Sequence, residues 1–340
     1  MGETHSDHPR PFHLEDHRIK LPQETVTASG PSRGGFYYIP DFITEDEEAY
    51  LVQKISTASQ PKWKVLQNRS GRELCRLQYW GGQVSKSNVL IPQPMPDFFV
   101  KFPNLIEMIS GTTAFDSSAH GEPNHCLVNE YLPGQGIMPH EDGGAYFPAV
   151  ATISLSSHTL LDIYKLVDKS EVPSNPGETN GSDSKEGSEK VRVGDEAVTQ
   201  PTAVGEDTRL SPSKNEGTTT LPRPGARSRE AEPRFSILQE PRSLLITKGH
   251  AYREYLHGIA ERKQDRPSDL SKVINLDLLG DEVTKDKVRQ ARGQDSDGKV
   301  GREGGGDLVM ERDTRLSLTF RDVERVSKGF SGFLSGAVKR

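Results

Sequence analysis

His140 and Asp142 stand two residues apart, behind the Gly- and Pro-rich approach LPGQGIMP (132–139). In an extended chain residues i and i+2 point to the same side. An imidazole and a carboxylate delivered together supply two of the three protein ligands of a 2-His-1-carboxylate face, the arrangement that leaves open positions on Fe(II). The same spelling also describes a surface ion pair, so the pair alone decides nothing. In RLSLTFR (315–321), Arg315, Ser317, Thr319 and Arg321 fall on one face of a strand and Leu316, Leu318 and Phe320 on the other. A solvated outer face would explain that alternation. The alternative is a pair of arginine forks, always charged and shaped for bidentate contact with a carboxylate, that point into a barrel and hold a dicarboxylic acid. Asn129 and Tyr131 repeat the i, i+2 spacing and offer an amide and a phenol to a keto acid, or read simply as a turn Asn and a packed Tyr. His257, in YLHGI (255–259), lies between apolar neighbours, where a hydrogen-bonded structural imidazole is the plainer account. These features occur in order, each on or beside a segment with strand character.

The elements that must position them are short and bounded by Gly, Pro, Ser or Asp. GFYYI (35–39) is apolar and aromatic, and Thr44 opens the helical segment EDEEAYLVQKISTA, where Tyr50, Leu51 and Ile55 fall near helical spacing. Strand signals follow at 126–132, 150–156, 158–164, 235–239, 243–248 and 315–321. A run of strands after a helical start, without strand–helix alternation, predicts a mostly β fold: an antiparallel sandwich or barrel with one or two flanking helices. The chain has 340 residues but only 32% hydrophobic ones, fewer than a fully globular chain carries. Residues 166–234 contain no Phe, Trp, Tyr, Ile or Met and cannot build a core. Residues 262–312 are rich in Gly, Asp, Lys and Arg, with only VINLDLL (273–279) able to form a short helix or strand. The expected organisation is therefore a disordered tail (1–34), one domain (35–327) interrupted by disordered insertions at 166–234 and 262–312, and a C-terminal tail (328–340).

No apolar run approaches the ~18–20 residues of a membrane span. The start, MGETHSDHPRPF, lacks the basic and apolar regions of a secretory leader, although Gly2 and Ser6 formally match a myristoylation pattern. Two cysteines, Cys75 and Cys126, fit a reducing compartment, and nucleus and cytoplasm are the expected locations. The net charge of −6 gives no global basic field, so any nucleic-acid contact needs a local patch. Tyr79 and Trp80, in LQYWGG, could stack an unpaired base or simply pack beside a Gly-Gly turn.

Taken with YYIPDFITEDEEAYL, NHCLVNEYLPGQGIMPHEDGGAYFPAVATISLSSHTLLDIY, LQEPRSLLI, GHAYREYLHGIA and TRLSLTFRDVERV, the pattern resembles the AlkB family of Fe(II)- and 2-oxoglutarate-dependent dioxygenases, in the spelling of one group of its eukaryotic members. The resemblance implies a double-stranded β-helix (jelly roll) and iron ligands His140, Asp142 and His257. It places 2-oxoglutarate against Asn129, Tyr131, Arg315 and Arg321, with Ser317 nearby, and O2 on the remaining position. His125, His158 and His250 lie close in sequence but not at family positions. DNA-repairing members carry Asn where this chain has Ser317. The implied activity is oxidative demethylation of an N-alkylated substrate, nucleic acid (RNA or DNA) foremost. The competing class is a non-catalytic jelly roll that recruits RNA or protein partners, and two His with an Asp could also hold Zn(II), for which a keto-acid cradle would be superfluous.

Overall fold

Along residues 315–323 apolar and polar side chains alternate, and the structure makes that segment the middle strand of a seven-stranded sheet. The computed structural model describes residues 12–22, 34–59, 61–67, 71–167, 228–293 and 308–328. Its strands are β1 (Gly34–Ile39), β2 (Lys64–Gln67), β3 (Glu73–Trp80), β4 (Gly82–Val84), β5 (Leu90–Pro92), β6 (His125–Tyr131), β7 (Ile137–His140), β8 (Tyr146–Leu155), β9 (Thr159–Val167), β10 (Ser228–Arg229), β11 (Phe235–Gln239), β12 (Leu244–Gly249), β13 (Tyr255–Ile259), β14 (Gln264–Asp265), β15 (Met310–Glu311) and β16 (Arg315–Val323). The helices are α1 (Glu45–Thr57), α2 (Asp97–Val100), α3 (Leu105–Ser110), α4 (His250–Glu254), α5 (Pro267–Leu270) and α6 (Glu282–Ala291). None of them is long and apolar enough to cross a membrane.

The large sheet runs β1-β12-β8-β16-β6-β3-β2, every neighbour antiparallel, and a second sheet runs β10-β9-β13-β7 with β11 also paired to β9. Residues directly opposite in an antiparallel pair share a face. Leu316, Leu318 and Phe320 therefore line up with Leu155, Ile153 and Ala151 on β8, and Leu318 and Phe320 also with Val128 and Cys126 on β6. That apolar face is roofed by α1, α2 and α3 through Leu51, Ile55, Phe99, Leu105 and Ile109. Phe99 meets Phe320 edge to face at 5.3 Å. The roof is locally specified: Thr44 and Glu47 exchange hydrogen bonds at the start of α1, with Thr44 N donating to Glu47 Oε2 at 2.8 Å.

The polar face of β16 looks the other way, toward the second sheet. Phe36 of β1 packs edge to face on Phe235 of β11 at 5.9 Å, which brings the two sheets together. Two antiparallel sheets enclosing a bore make the jelly roll that the sequence leads one to expect.

Two expected boundaries change. Within the expected tail, Leu14–His17 form a 3-10 turn, Ile19 is buried, and Arg18 bridges Tyr37. The larger correction concerns 262–312, where residues 262–293 and 308–312 are folded. Leu270, Val273, Leu276, Leu279 and Val288 pack with Leu160 and Leu238 in one apolar cluster, beneath the second sheet. Asn275 clamps Leu238 from both sides, accepting from its N–H at 2.9 Å and donating to its carbonyl at 2.8 Å. At the edges of the first expected insertion, β10 pairs with the end of β9, and Arg234 N donates to Ile163 O. The remainder of both expected insertions, residues 168–227 and 294–307, and the C-terminal tail from 329 lie outside the described residues.

The refolded segment is pinned to the barrel by a buried ion group. Arg312 donates to both oxygens of Asp265 (2.8 and 2.7 Å), and His158 Nε2 lies 3.1 Å from Asp265 Oδ2. Burial opposes the charge on Asp265, but His158 and Arg312 outweigh it and hold the carboxyl down at about 2. With an unfolded value near 3.9, the stabilisation is present above pH ~4 and is lost as pH falls through about 2. Asp265→Asn is expected to lower unfolding free energy at pH 7 by about 3 kcal/mol, because Arg312 is left buried without its charge partner. Urea titrations between pH 2 and 7 check this: the variant should also lose the acid limb of the wild-type stability profile.

Candidate active site

Strands β7 and β13 pair so that His140 lies directly opposite His257. Gly258 permits that approach, since a Cβ there would come within 2.9 Å of Pro139 N and 3.0 Å of Ile137 O. The two imidazole rings sit 4.5 Å apart, centroid to centroid, with planes 55° apart. His140 Nδ1 donates to Met138 O at 2.8 Å. A carbonyl can only accept, so Nδ1 carries the proton and Nε2 keeps its lone pair for another partner. Burial, reinforced by His140, pushes His257 down to about 4, so His257 is a neutral donor near pH 7.

The side chain of Asp142, just beyond β7, is buried, and its Oδ1 accepts a very short hydrogen bond from Arg321 Nη2 of β16. Burial would raise its carboxyl, yet Arg321 and then His257 and His140 hold it below the usual carboxylate range. Among the described residues no three His, Cys, Asp or Glu side chains lie at the mutual distances of a formed metal centre, for the Asp142 carboxylate rests on Arg321. The donor chemistry nonetheless fits Fe(II): two imidazoles face each other, and Asp142 keeps one oxygen, Oδ2, free of hydrogen bonds among the described residues.

Across the bore lies the polar stripe of β16. Arg315, Ser317, Thr319 and Arg321 stand opposite Tyr131, Asn129, Leu127 and His125 of β6, and Ser317 also opposite Ser154 of β8. Every one of these side chains is buried. Arg315 Nη2 donates to Ser154 Oγ at 2.8 Å and Gln239 Oε1 at 3.2 Å, and its Nε has no partner among the described residues. Burial draws the Arg315 guanidinium down to about 10. A free N–H on a desolvated cation can donate to an anionic oxygen. Six residues at roughly 3.3 Å per residue put the α-carbons of Arg315 and Arg321 about 20 Å apart. The two arginines therefore serve opposite ends of the bore, and Arg321 spends one N–H on Asp142.

A family model described as the 2OG-Fe(II) oxygenase superfamily matches residues 35–321. A Danio rerio protein described as "Probable RNA/DNA demethylase ALKBH6" is 33% identical over 85% of this chain and 86% of its own. The chain belongs to the 2OG-Fe(II) oxygenase superfamily, in its AlkB branch. A mimivirus protein, "Uncharacterized protein L905" of Acanthamoeba polyphaga mimivirus, is 32% identical over 38% of this chain and 57% of its own. A solved structure, "The structure of OsALKBH1", covers 86% of this chain and 99% of that one at 14% identity, with a TM-score of 0.39.

As a member of the superfamily the protein is a dioxygenase that uses Fe(II), 2-oxoglutarate and O2. In this oxygenase all eight residues singled out in the sequence face the bore or its mouth, in two groups. His140, Asp142 and His257 gather with Arg321 at one end. Arg315 lies with Tyr131, its guanidinium carbon 5.9 Å from the ring centroid, and Asn129 and Ser317 pair in the middle. Sequence reasoning missed Ser154 and Gln239, which orient Arg315, and Tyr146, whose ring lies 4.9 Å from the Arg321 guanidinium carbon. Of the competing histidines, His158 is tied to Asp265 and His250 opens α4. Trp80 is a packing residue, edge to face on Phe98 and Phe99 at 5.2 and 6.1 Å. Tyr79 instead borders a cavity of about 180 Å³ lined by Pro61, Lys62, Lys64, Gln83 and Gln93.

Proposed function

We propose that this oxygenase removes N-alkyl groups from nucleic-acid bases. The observation that carries the reading is the surface cavity whose wall Tyr79 shares with the site: it joins two lysines, suited to phosphates, to an aromatic ring suited to a base. The wording attached to the zebrafish relative points the same way. The chain's net charge is negative, so Lys62 and Lys64 are the local patch that a polyanion needs, with Lys64 Nζ 5.4 Å above the Tyr79 ring. Such a substrate also agrees with nuclear and cytoplasmic residence.

In this reading His140, Asp142 and His257 hold the iron, and Arg321 fixes the orientation of the Asp142 carboxylate. Arg315, steadied by Ser154 and Gln239, takes the far carboxylate of 2-oxoglutarate, and Asn129, Tyr131 and Ser317 line the acid's flank. Fe(II), when bound with 2-oxoglutarate and O2, supplies the oxidising power. One oxygen atom ends in succinate as CO2 leaves, the other in the substrate C–H bond, and the resulting N-hydroxymethyl group breaks down to formaldehyde and N–H. The closed apolar faces on either side of the bore exclude water from that oxidation. An intact acid cradle beside the ligand set argues for an enzyme over a recruiting module.

The test is succinate and formaldehyde release from the full chain with Fe(II), 2-oxoglutarate, air and N-methylated oligonucleotides. Formaldehyde in step with succinate is the expected result, and succinate release that no oligonucleotide stimulates would remove the nucleic-acid reading. In the Lys62→Ala/Lys64→Ala variant, KM for the oligonucleotide should rise roughly 3- to 10-fold with kcat near wild type, and the log–log salt slope should flatten by about 1.5. Steady-state assays across 50–200 mM salt measure both.

A further inference from the structure

His125 is fully buried on β6, directly opposite Arg321 of β16, and neither of its ring nitrogens has a hydrogen-bond partner among the described residues. Arg321 is in the same condition on its far side, with Nε and Nη1 unpartnered. Four buried nitrogens without partners in one place are uncommon, because proteins satisfy almost all such groups with their own atoms, water or a ligand. Their surroundings are aromatic. Tyr79 and Tyr146 flank the imidazole with ring centroids 6.0 and 6.1 Å away. Tyr79 is thus a partition: one side lines the cavity with Lys62 and Lys64, the other lies against His125. Arg321, which the resemblance gives to 2-oxoglutarate, engages Asp142 through Nη2, and among the described residues nothing engages its Nε and Nη1 or the two His125 nitrogens.

We propose that His125, with the free N–H groups of Arg321, is the substrate-reading wall of the site, and that it selects uncharged N-methylated lactam bases over cationic N-methylated amidine bases. The inference rests on the nucleic-acid reading and names its substrate class. A base entering from the cavity turns the Tyr79 ring aside and meets four N–H donors, three on Arg321 Nε and Nη1 and one on the imidazole, against a single imidazole lone pair. That balance matches a carbonyl-bearing edge, as in 3-methyluracil or 1-methylguanine. It matches poorly the charged, amine-bearing edge of 1-methyladenine or 3-methylcytosine. Burial and the Arg321 charge hold the His125 imidazole down at about 3, and the same two influences oppose any other cation brought to that spot. A site built to hydrogen-bond a substrate group also rejects an analogue without it far more strongly than an apolar pocket does.

Formaldehyde release by the full chain is measured on four single-stranded oligonucleotides, each with one of those methylated bases. The wild type should favour the lactam pair by at least 10-fold in kcat/KM. His125→Phe keeps the ring and removes the nitrogens, so its preference should fall below 3-fold through loss of lactam turnover, while its unfolding temperature stays level or rises. A purely structural histidine would give the reverse, a lower unfolding temperature with the preference intact. His125→Asn, which retains a donor and an acceptor, should recover part of the preference and carries the test if the Phe variant folds poorly. A wild type that prefers the cationic bases, or a His125→Phe variant with the wild-type ratio, overturns the role of His125 alone. Turnover of none of the four, with 2-oxoglutarate still consumed, overturns the nucleic-acid reading and this inference with it.

Discussion

Asp142→Ala should abolish iron retention and substrate oxidation, a loss of about 10³-fold or more, and it should also weaken the fold. The first effect follows from donor chemistry, since Asp142 supplies the carboxylate beside the two imidazoles and its loss leaves two nitrogen donors without it. The second follows from burial. Arg321 is 3% exposed, and Asp142 is its only carboxylate partner among the described residues. Removing one partner of such a pair strands the other charge, at about 3–5 kcal/mol. Two companions separate the effects. Asp142→Asn still presents an oxygen to Arg321 and should lose the metal with a smaller loss of stability. Asp142→Ala with Arg321→Met removes both charges and should regain most of the stability with none of the activity, because a buried pair replaced by apolar groups is often close to neutral. Iron content after reconstitution and urea unfolding give the two readouts. Wild-type iron content in Asp142→Ala would move the third ligand elsewhere.

The stabilising role of Arg321 could not be read from spacing, because it joins residues 179 apart in the chain. The strand that carries it could. The segment 315–321 alternates cleanly and becomes 315–323, and the segment 235–239 becomes a strand with the same bounds. Alternation alone left open which face of 315–321 was outside. The structure answers that neither is, since α1–α3 roof the apolar side, the second sheet covers the polar side, and all nine residues of β16 are buried. Composition misled at 262–293. Leu270, Val273, Leu276 and Leu279 recur every third residue through a charged stretch, and an average over the stretch dilutes the four side chains that bury it. His125 had a signal that went unused: counting back by twos from Tyr131 and Asn129 along one strand reaches it, on the same face. Comparison with family positions set His125 aside as an iron ligand, and its neighbours in the fold are instead Arg321, Tyr79 and Tyr146.

Arg315→Met should raise KM for 2-oxoglutarate by roughly 10²- to 10³-fold, with a smaller change in kcat, because a buried carboxylate loses charge-assisted hydrogen bonds worth about 1.5–3 kcal/mol each. Arg315→Lys keeps the charge but not the fork, so an intermediate effect of roughly 10-fold is expected. Without the co-substrate, stability should move the other way. Burial draws the Arg315 guanidinium down to about 10, below its ordinary value, so holding it charged costs the fold something at every pH below about 10. Ser154 and Gln239 engage one of its nitrogens and leave Nε bare. Methionine of similar length removes that cost, and the variant without 2-oxoglutarate should unfold no earlier than wild type. Adding the acid should then raise the wild-type unfolding temperature, by mass action on the folded state, and leave the variant where it was. An unchanged KM in Arg315→Met would take the carboxylate away from this end of the bore. The expected pair of results, a fold relieved and a co-substrate lost, would mean that the charge is kept at the strand's end against the preference of the empty site, because the acid it receives brings the missing partner.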